Sequence, residues 1–192
     1  VFASAQNMAG SHMTLETLAG IIKARVSGNN ASIQLTDPKL EKEKIALDVD
    51  GETFTIYHIN TGVPHAVLFV KGLWNMSDEE IKRKGRFIRF HRTFEPEGTN
   101  VDFVEIKGPG NIYVRTYERG VEGETMACGT GASASALITH LYEGGGNPPF
   151  TVEVPGGTLK IDFNKIDSQL KDVWLTGEVT WAYKGELFIK EE

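Results

Sequence analysis

Only one cysteine, Cys128, occurs among the 192 residues, so an internal disulfide framework is excluded. No apolar run approaches the roughly 20 residues that a membrane-spanning helix needs. Positive charge is in deficit: 20 Lys and Arg stand against 26 Asp and Glu, a net charge of −6. Nonspecific nucleic-acid binding needs a basic surface to neutralise phosphates, and this balance argues against it. No segment reads as a secretory signal, and there is no internal repeat or low-complexity linker. These absences point to a cytoplasmic protein with neither a nucleic-acid nor a membrane partner. Hydrophobic residues make up 40% and charged residues 24% of the chain, ordinary values for a globular protein. The length suits one large domain, or one domain with an extension.

Gly10-Ser11-His12-Met13 has the composition of a scar left by affinity-tag removal, and on that reading residues 1–13 lie outside the fold. After it the pattern is mostly strand-like. Residues 21–26 and 31–35 flank Ser27-Gly28-Asn29-Asn30, a hairpin turn composition. Residues 45–49 and 53–59 flank Asp50-Gly51, a dipeptide favoured in two-residue hairpin turns. Glu41-Lys42-Glu43-Lys44 reads as a solvated loop. Residues 65–70, 101–106 and 112–117 read as strands. Ser77-Asp78-Glu79-Glu80 has capping-box spacing and predicts a short helix to about Lys84. A second helix is predicted from about Gly131 to Tyr142, stopped by Gly144-Gly145-Gly146-Asn147-Pro148-Pro149. Further strands are predicted over 151–154, 158–163, 173–175 and 179–183.

The segment before that second helix carries the chemistry. Cys128-Gly129-Thr130-Gly131 leads into Ala132-Ser133-Ala134-Ser135-Ala136, which places the thiol at a helix start. Unpaired backbone N–H groups gather there with partial positive charge. They favour a thiolate, so Cys128 is expected to be acidic, and they can hold a carboxylate or phosphate. A free cysteine taken by itself is more often an inert core residue; the glycine-flanked helix start is what marks this one out. Glu118 and Arg119 end a strand upstream of it, and opposite charges side by side suit an ammonium and a carboxylate, the latter held by the guanidinium fork. The bland alternative is a surface ion pair. His58, His91 and His140 show no ligand spacing with each other or with Cys128, so no metal site is expected.

Residues 118–132 closely resemble the second cysteine motif of the diaminopimelate epimerases, amino-acid epimerases that work without pyridoxal phosphate. Thr17-Leu18-Ala19-Gly20, Asn60-Thr61-Gly62-Val63-Pro64-His65-Ala66-Val67, Gly98-Thr99-Asn100-Val101-Asp102-Phe103-Val104, Arg115-Thr116-Tyr117-Glu118-Arg119-Gly120 and Val154-Pro155-Gly156-Gly157 resemble that family in the right order. The family's other cysteine segment, Cys-Gly-Asn-Gly, is absent. The resemblance implies an α+β fold in which a curved, barrel-like, mostly antiparallel sheet surrounds a central helix. It also implies a chain truncated at its N-terminus: residues 14–30 would be a remnant of a first domain and 31–192 the C-terminal epimerase domain.

The resemblance further implies the interconversion of LL- and meso-2,6-diaminopimelate, on the route to lysine and cell-wall cross-links. Two cysteines on opposite faces of the α-carbon would do this without cofactor or metal, each acting as base in one direction and acid in the other. Cys128 would be catalytic. Asn100, Glu118 and Arg119 would contact the substrate, and the N–H groups of Gly129 and Thr130 would hold its carboxylate. His65 and Glu118 would tune thiol acidity. Many family members carry asparagine where this chain has Val63, so the distal-end contact is not carried over there. The expected partners are a small amino-acid substrate, the missing N-terminal domain and a second copy in a homodimer, and the chain by itself is expected to be inactive. Two alternatives stay open: a proline-racemase-like or isomerase relative of the same fold, and a noncatalytic carboxylate-binding module.

Overall fold

The computed structural model describes residues 1–18, 20–49, 51–142, 144–167, 169–186 and 188. Its strands are β1 (His12–Thr17), β2 (Gly20–Ser27), β3 (Asn30–Gln34), β4 (Lys39–Val49), β5 (Glu52–Asn60), β6 (Pro64–Phe69), β7 (Asn100–Gly108), β8 (Asn111–Glu118), β9 (Gly123–Glu124), β10 (Phe150–Val154), β11 (Gly157–Ile166) and β12 (Gln169–Glu178). The helices are α1 (Phe2–Ala5), α2 (Asp78–Arg89) and α3 (Gly129–Tyr142). The strands form one curled, unclosed sheet in the order β1-β2-β3-β12-β11-β10-β8-β7-β6-β5-β4, with β9 paired to β8. Pairing is antiparallel except between β6 and β7 and between β8 and β10. This is the expected α+β class with a mostly antiparallel sheet. Among the described residues no helix is long and apolar enough to cross a membrane.

Successive side chains of a strand point to opposite faces, and along β5 to β8 this sorts apolar residues into two cores. Tyr57, Ile59, Val67, Val104, Ile112 and Val114 face inward, where they pack with Ala132, Ala134, Ala136, Leu137 and Ile138 of α3. Ile56, Ala66, Leu68, Val101, Phe103, Tyr113 and Tyr117 face outward and pack with Ile81 and Ile88 of α2. The sheet curls around α3, which touches β5 to β8 on one side and β10 to β12 on the other. Each fully buried Leu or Ile stabilises the fold by about 1.5–3 kcal/mol.

β1 and β2, which run from His12 to Ser27, belong to this same sheet and are joined through β3 to β12. The expected hairpins are present: Ser27 pairs with Asn30, and Val49 pairs with Glu52. Asp50, half of the predicted turn dipeptide, lies outside the described residues, as does Ala19 of the first motif.

Three expectations need correction. Glu41-Lys42-Glu43-Lys44 is not a loop; it belongs to β4, its side chains exposed and its pairing with β5 interrupted by irregularities near Lys42. β4 ends the sheet, and charge on an edge strand opposes pairing with other chains. The strand predicted over 179–183 is absent, because β12 stops at Glu178 and Val179, Trp181 and Tyr183 are exposed with no sheet face to cover. Helix α2 is longer than expected. Ser77 caps it, accepting from the Glu80 N–H at 3.2 Å, but the helix continues past Lys84 to Arg89.

The reason is Gly85. This glycine does not stop the helix; it lets the helix lie against β8, since a β-carbon there would sit 2.6 Å from Cβ of Tyr117. Replacing glycine by alanine inside a helix normally stabilises by about 1 kcal/mol. Here the overlap should reverse the sign: Gly85→Ala is expected to destabilise by about 1–3 kcal/mol in urea unfolding. A more stable variant would mean that α2 can lift off the sheet at no cost.

Candidate active site around Cys128

Helix α3 starts at Gly129, two residues before the expected Gly131, with Cys128 immediately before it. The carbonyl of Cys128 accepts the first intrahelical bond, from the Ala132 N–H at 2.8 Å. Its sulfur accepts from the Gly131 N–H at 3.4 Å. Cys128 thus holds the N-cap position, and its Sγ sits where a capping Ser or Asp oxygen normally lies. The N–H groups of Gly129 and Thr130 meet no protein acceptor among the described residues. The sulfur and two free donors therefore share one helix mouth, as expected.

The inner face of the sheet brings further groups to this mouth. His65, Asp102 and Thr116 lie on β6, β7 and β8 with the same parity as the inward-facing Val67, Val104 and Val114. His65 Nδ1 lies 2.7 Å from Oδ2 of Asp102, both side chains fully buried. His65 Nε2 lies 3.0 Å from Oγ1 of Thr130, which in turn lies 3.4 Å from the Cys128 sulfur. Asp102 Oδ1 accepts from the Thr116 hydroxyl at 2.8 Å. Thr61, also buried, donates its hydroxyl to the Thr130 carbonyl at 3.1 Å.

Asp102, Thr116 and Thr61 were not among the residues singled out from sequence, although each lies within a quoted motif. The alternation of β6 to β8 carries the missing signal: once Val104 and Val114 are placed inward, Asp102 and Thr116 must follow. Gly131 makes the approach feasible, because a β-carbon there would overlap the Asp102 carboxylate.

The Glu118-Arg119 pair ends β8 beside the loop that leads to Cys128. Glu118 accepts from the Thr125 hydroxyl at 2.9 Å. The Arg119 guanidinium is partly exposed and, among the described residues, reaches only Glu97, 3.6 Å from its carboxylate. The loop itself is fixed by backbone bonds, Thr125 N–H to the Thr116 carbonyl at 3.3 Å and Gly156 N–H to the Met126 carbonyl at 2.7 Å. A β-carbon on Gly156 would crowd that Met126 carbonyl at 2.9 Å, which gives Pro155-Gly156-Gly157 its place in the site. On the outer face Arg115 forks onto Glu124 at 2.5 and 2.6 Å and reaches Asp78 at 2.6 Å, tying α2 to β9.

Asn100 differs from its simplest expectation as a free substrate contact. It is buried, its amide N–H donates to the Pro64 carbonyl at 3.0 Å, and its oxygen accepts from the Arg119 N–H at 2.8 Å. It is therefore a bridge that sets β6 against the end of β8. The remaining histidines stand apart. His140 meets the Gly146 carbonyl at 3.0 Å, and His91 accepts from the Thr93 N–H at 3.2 Å. Among the described residues no group of His, Cys, Asp and Glu could hold a metal ion.

The expected acidity of Cys128 is overturned. Burial, followed by the negative charge of Asp102, pushes its thiol from the ordinary 9 up to about 12. Hydrogen bonding with the Thr130 hydroxyl and from the Gly131 N–H pulls the other way, and Glu118 adds a further small rise. These surroundings hold Cys128 at rest as a protonated thiol. A raised thiol pKa means that the folded chain keeps a proton which the unfolded chain has lost. Stability due to this group is complete below pH 9 and falls as pH rises towards 12, by at most about 1.4 kcal/mol per unit. Urea unfolding between pH 8 and 10.5 should show this decline, and Cys128→Ser should flatten it; identical pH dependence in the two proteins would contradict the shift.

With this geometry in hand, the likeness to known proteins is specific. The diaminopimelate epimerase family model matches residues 57–182. The diaminopimelate epimerase of Aquifex aeolicus (strain VF5) is 44% identical over 189 residues, 97% of this chain and 65% of that protein. That of Hydrogenobaculum sp. (strain Y04AAS1) is 35% identical over 187 residues, 97% of this chain and 66% of that protein. The chain thus spans just under two thirds of the length of these relatives. The Aquifex match leaves only about six residues of this chain outside it, so the tag-like Gly10-Ser11-His12-Met13 falls within the matched span. Among solved structures, a PhzF-family phenazine biosynthesis protein of Bacillus anthracis aligns with a TM-score of 0.72 over 98% of this chain and 73% of that one, at 16% identity, a likeness of fold. The chain belongs to the diaminopimelate epimerase family.

Proposed function

We propose that this chain supplies one half-site of a cofactor-independent diaminopimelate epimerase, with Cys128 as the proton carrier on one face of the substrate α-carbon. The observation that carries the reading is the sulfur at the N-cap of α3, beside the unpaired N–H groups of Gly129 and Thr130. Those donors suit the carboxylate at the reacting end, where negative charge builds up as the α-proton leaves. Glu118 suits the ammonium group next to it. Arg119, which meets only an exposed glutamate here, can turn its fork onto a carboxylate.

Inversion requires a proton acceptor on one face and a donor on the other. As a thiol, Cys128 donates; the opposite thiolate, which the family places in its other cysteine segment, accepts. In the reverse direction the two exchange roles. The cysteine mouth is open, with Met126 and Ala127 exposed beside it. Enclosure by a second wall would exclude water and strengthen each hydrogen bond to the carboxylate.

LL-diaminopimelate incubated with this chain in deuterium oxide should give no meso isomer by chiral chromatography. Meso product and solvent deuterium at the α-carbon, followed by NMR, should appear when a segment carrying the family's other cysteine motif is added, and Cys128→Ala should abolish both. Carboxylate binding without any α-proton exchange in the combined system would instead make the protein a binding module. Turnover of proline but not diaminopimelate would make it a relative with another substrate.

In the active combination Arg119→Ala should lower kcat/KM at least tenfold, about 1.4 kcal/mol of transition-state binding, while its melting temperature stays within a degree or two of the parent. Unchanged kcat/KM would remove Arg119 from substrate recognition.

A further inference from the structure

We propose that Asp102, His65 and Thr130 form a proton relay through which Cys128 gains and loses its proton, with Asp102 as the positioning residue. The proposal rests on the reading of Cys128 as a proton carrier, but it concerns how the protein itself moves that proton. The hydrogen-bond directions follow from chemistry. A carboxylate can only accept, so at 2.7 Å from Asp102 the neutral His65 ring carries its proton on Nδ1. Its Nε2 is then an acceptor, and the group beside it at 3.0 Å is the Thr130 hydroxyl, which must donate. With its proton committed to His65, the Thr130 oxygen faces the sulfur at 3.4 Å as an acceptor, and the Cys128 S–H points at it.

Deprotonation then proceeds along bonds already formed. The S–H bond breaks and an O–H bond forms on Thr130; the original Thr130 O–H bond breaks and an N–H bond forms at His65 Nε2. The products are a thiolate, an unchanged threonine and an imidazolium paired with the Asp102 carboxylate. In the product state the Thr130 hydroxyl donates to the sulfur, and the sulfur keeps the Gly131 N–H. No proton is lost to solvent, and the reverse path restores the thiol.

Two features argue that the His65–Asp102 pair is built for this rather than for stability. Both side chains are fully buried, and burying an ionisable pair often stabilises no better than an apolar pair of equal volume. The site also requires glycine at 131, because any side chain there would displace the Asp102 carboxylate. Thr116 fixes the second carboxylate oxygen from the directly opposite position on β8, leaving Oδ2 to the imidazole.

The test is alkylation of Cys128 by iodoacetamide at pH 8 in the chain as it stands, comparing Asp102→Asn and Thr130→Val with the parent. If Asp102 acted only through space, removing its negative charge would ease thiolate formation and speed alkylation. The relay demands the opposite, at least a tenfold slowing in Asp102→Asn, with a similar slowing in Thr130→Val, whose shape is kept and whose hydroxyl is lost. An unchanged or faster rate in folded Asp102→Asn overturns the relay; should that variant not fold, the His65 tautomer of the parent decides. Nitrogen-15 NMR of the parent, with the His65 signal assigned by His65→Gln, should show the neutral ring protonated at Nδ1. A ring protonated at Nε2 also overturns it. Neither measurement involves diaminopimelate, so failure here is distinct from failure of the epimerase reading.

Discussion

The close approach of α3 to the inner face of the sheet is the constraint from which the cysteine site follows. The first turn of the helix packs so tightly on β7 that Gly131 has no room for a β-carbon against Asp102. Small residues continue that closeness: Ala132, Ala134 and Ala136 are fully buried. The polar members of the run are mostly reconciled with burial by bonding back to their own helix, Ser133 to the Gly129 carbonyl at 2.9 Å and Thr139 to the Ser135 carbonyl at 2.7 Å. A helix held this firmly has a fixed start. The direction of its N–H groups, the position of the Cys128 sulfur and the reach of Thr130 towards His65 are all set by packing. Helix α2 supports the arrangement from the outer face, through Gly85 on Tyr117 and through Asp78 on Arg115.

Two opposing electrostatic influences meet at Cys128. The N-cap geometry offers the sulfur a backbone N–H and the positive end of the helix dipole; together these favour a thiolate by about 1–3 kcal/mol. Loss of water contact and the nearby Asp102 carboxylate oppose it, and a rise from 9 to about 12 corresponds to roughly 4 kcal/mol in their favour. A helix start alone does not make a cysteine acidic; the groups beneath it decide. Asp102 acts in both senses, opposing the thiolate through space while accepting the His65 proton on Nδ1.

Much of the fold was legible because alternation and turn chemistry agree. The hairpin at 27–30, strands β5 to β8, the Ser77 cap and the buried Ala-Ser helix were each marked by local composition. Legibility failed where tertiary context overrode a local signal. Glu41 to Lys44 reads as loop because it is all charge, yet an edge strand can be all charge when one side pairs and the rest is solvated. Helix α2 reads as short, ending near Lys84, yet Gly85 is a packing glycine inside it. At the site, Cys128 with its helix start was visible as a motif, and His65 as part of the resemblance. Asp102 is a single aspartate inside a strand and has no local signature. Its meaning appears only when β6, β7 and β8 are laid side by side and Gly131 comes down onto them. The acidity of Cys128 is not legible for the same reason, since the sequence displays the helix start but not the carboxylate below it.

A protonated Cys128 bears on the proposed reaction in a specific way. Two-base inversion fails if both carriers start in the same state: two thiols leave no base, and two thiolates leave no acid. On the proposed reading the surroundings of the two carriers must therefore differ, and Cys128 is the one that holds its proton. Its thiol is suited to deliver a proton to a carbanion-like centre whose charge has already developed against the N–H groups of Gly129 and Thr130. After delivery, the sulfur is left as a thiolate in surroundings that disfavour it, which drives abstraction of an α-proton in the reverse direction. On the proposed reading, donation leaves the sulfur the stronger base for the next encounter, so one helix mouth can serve both directions.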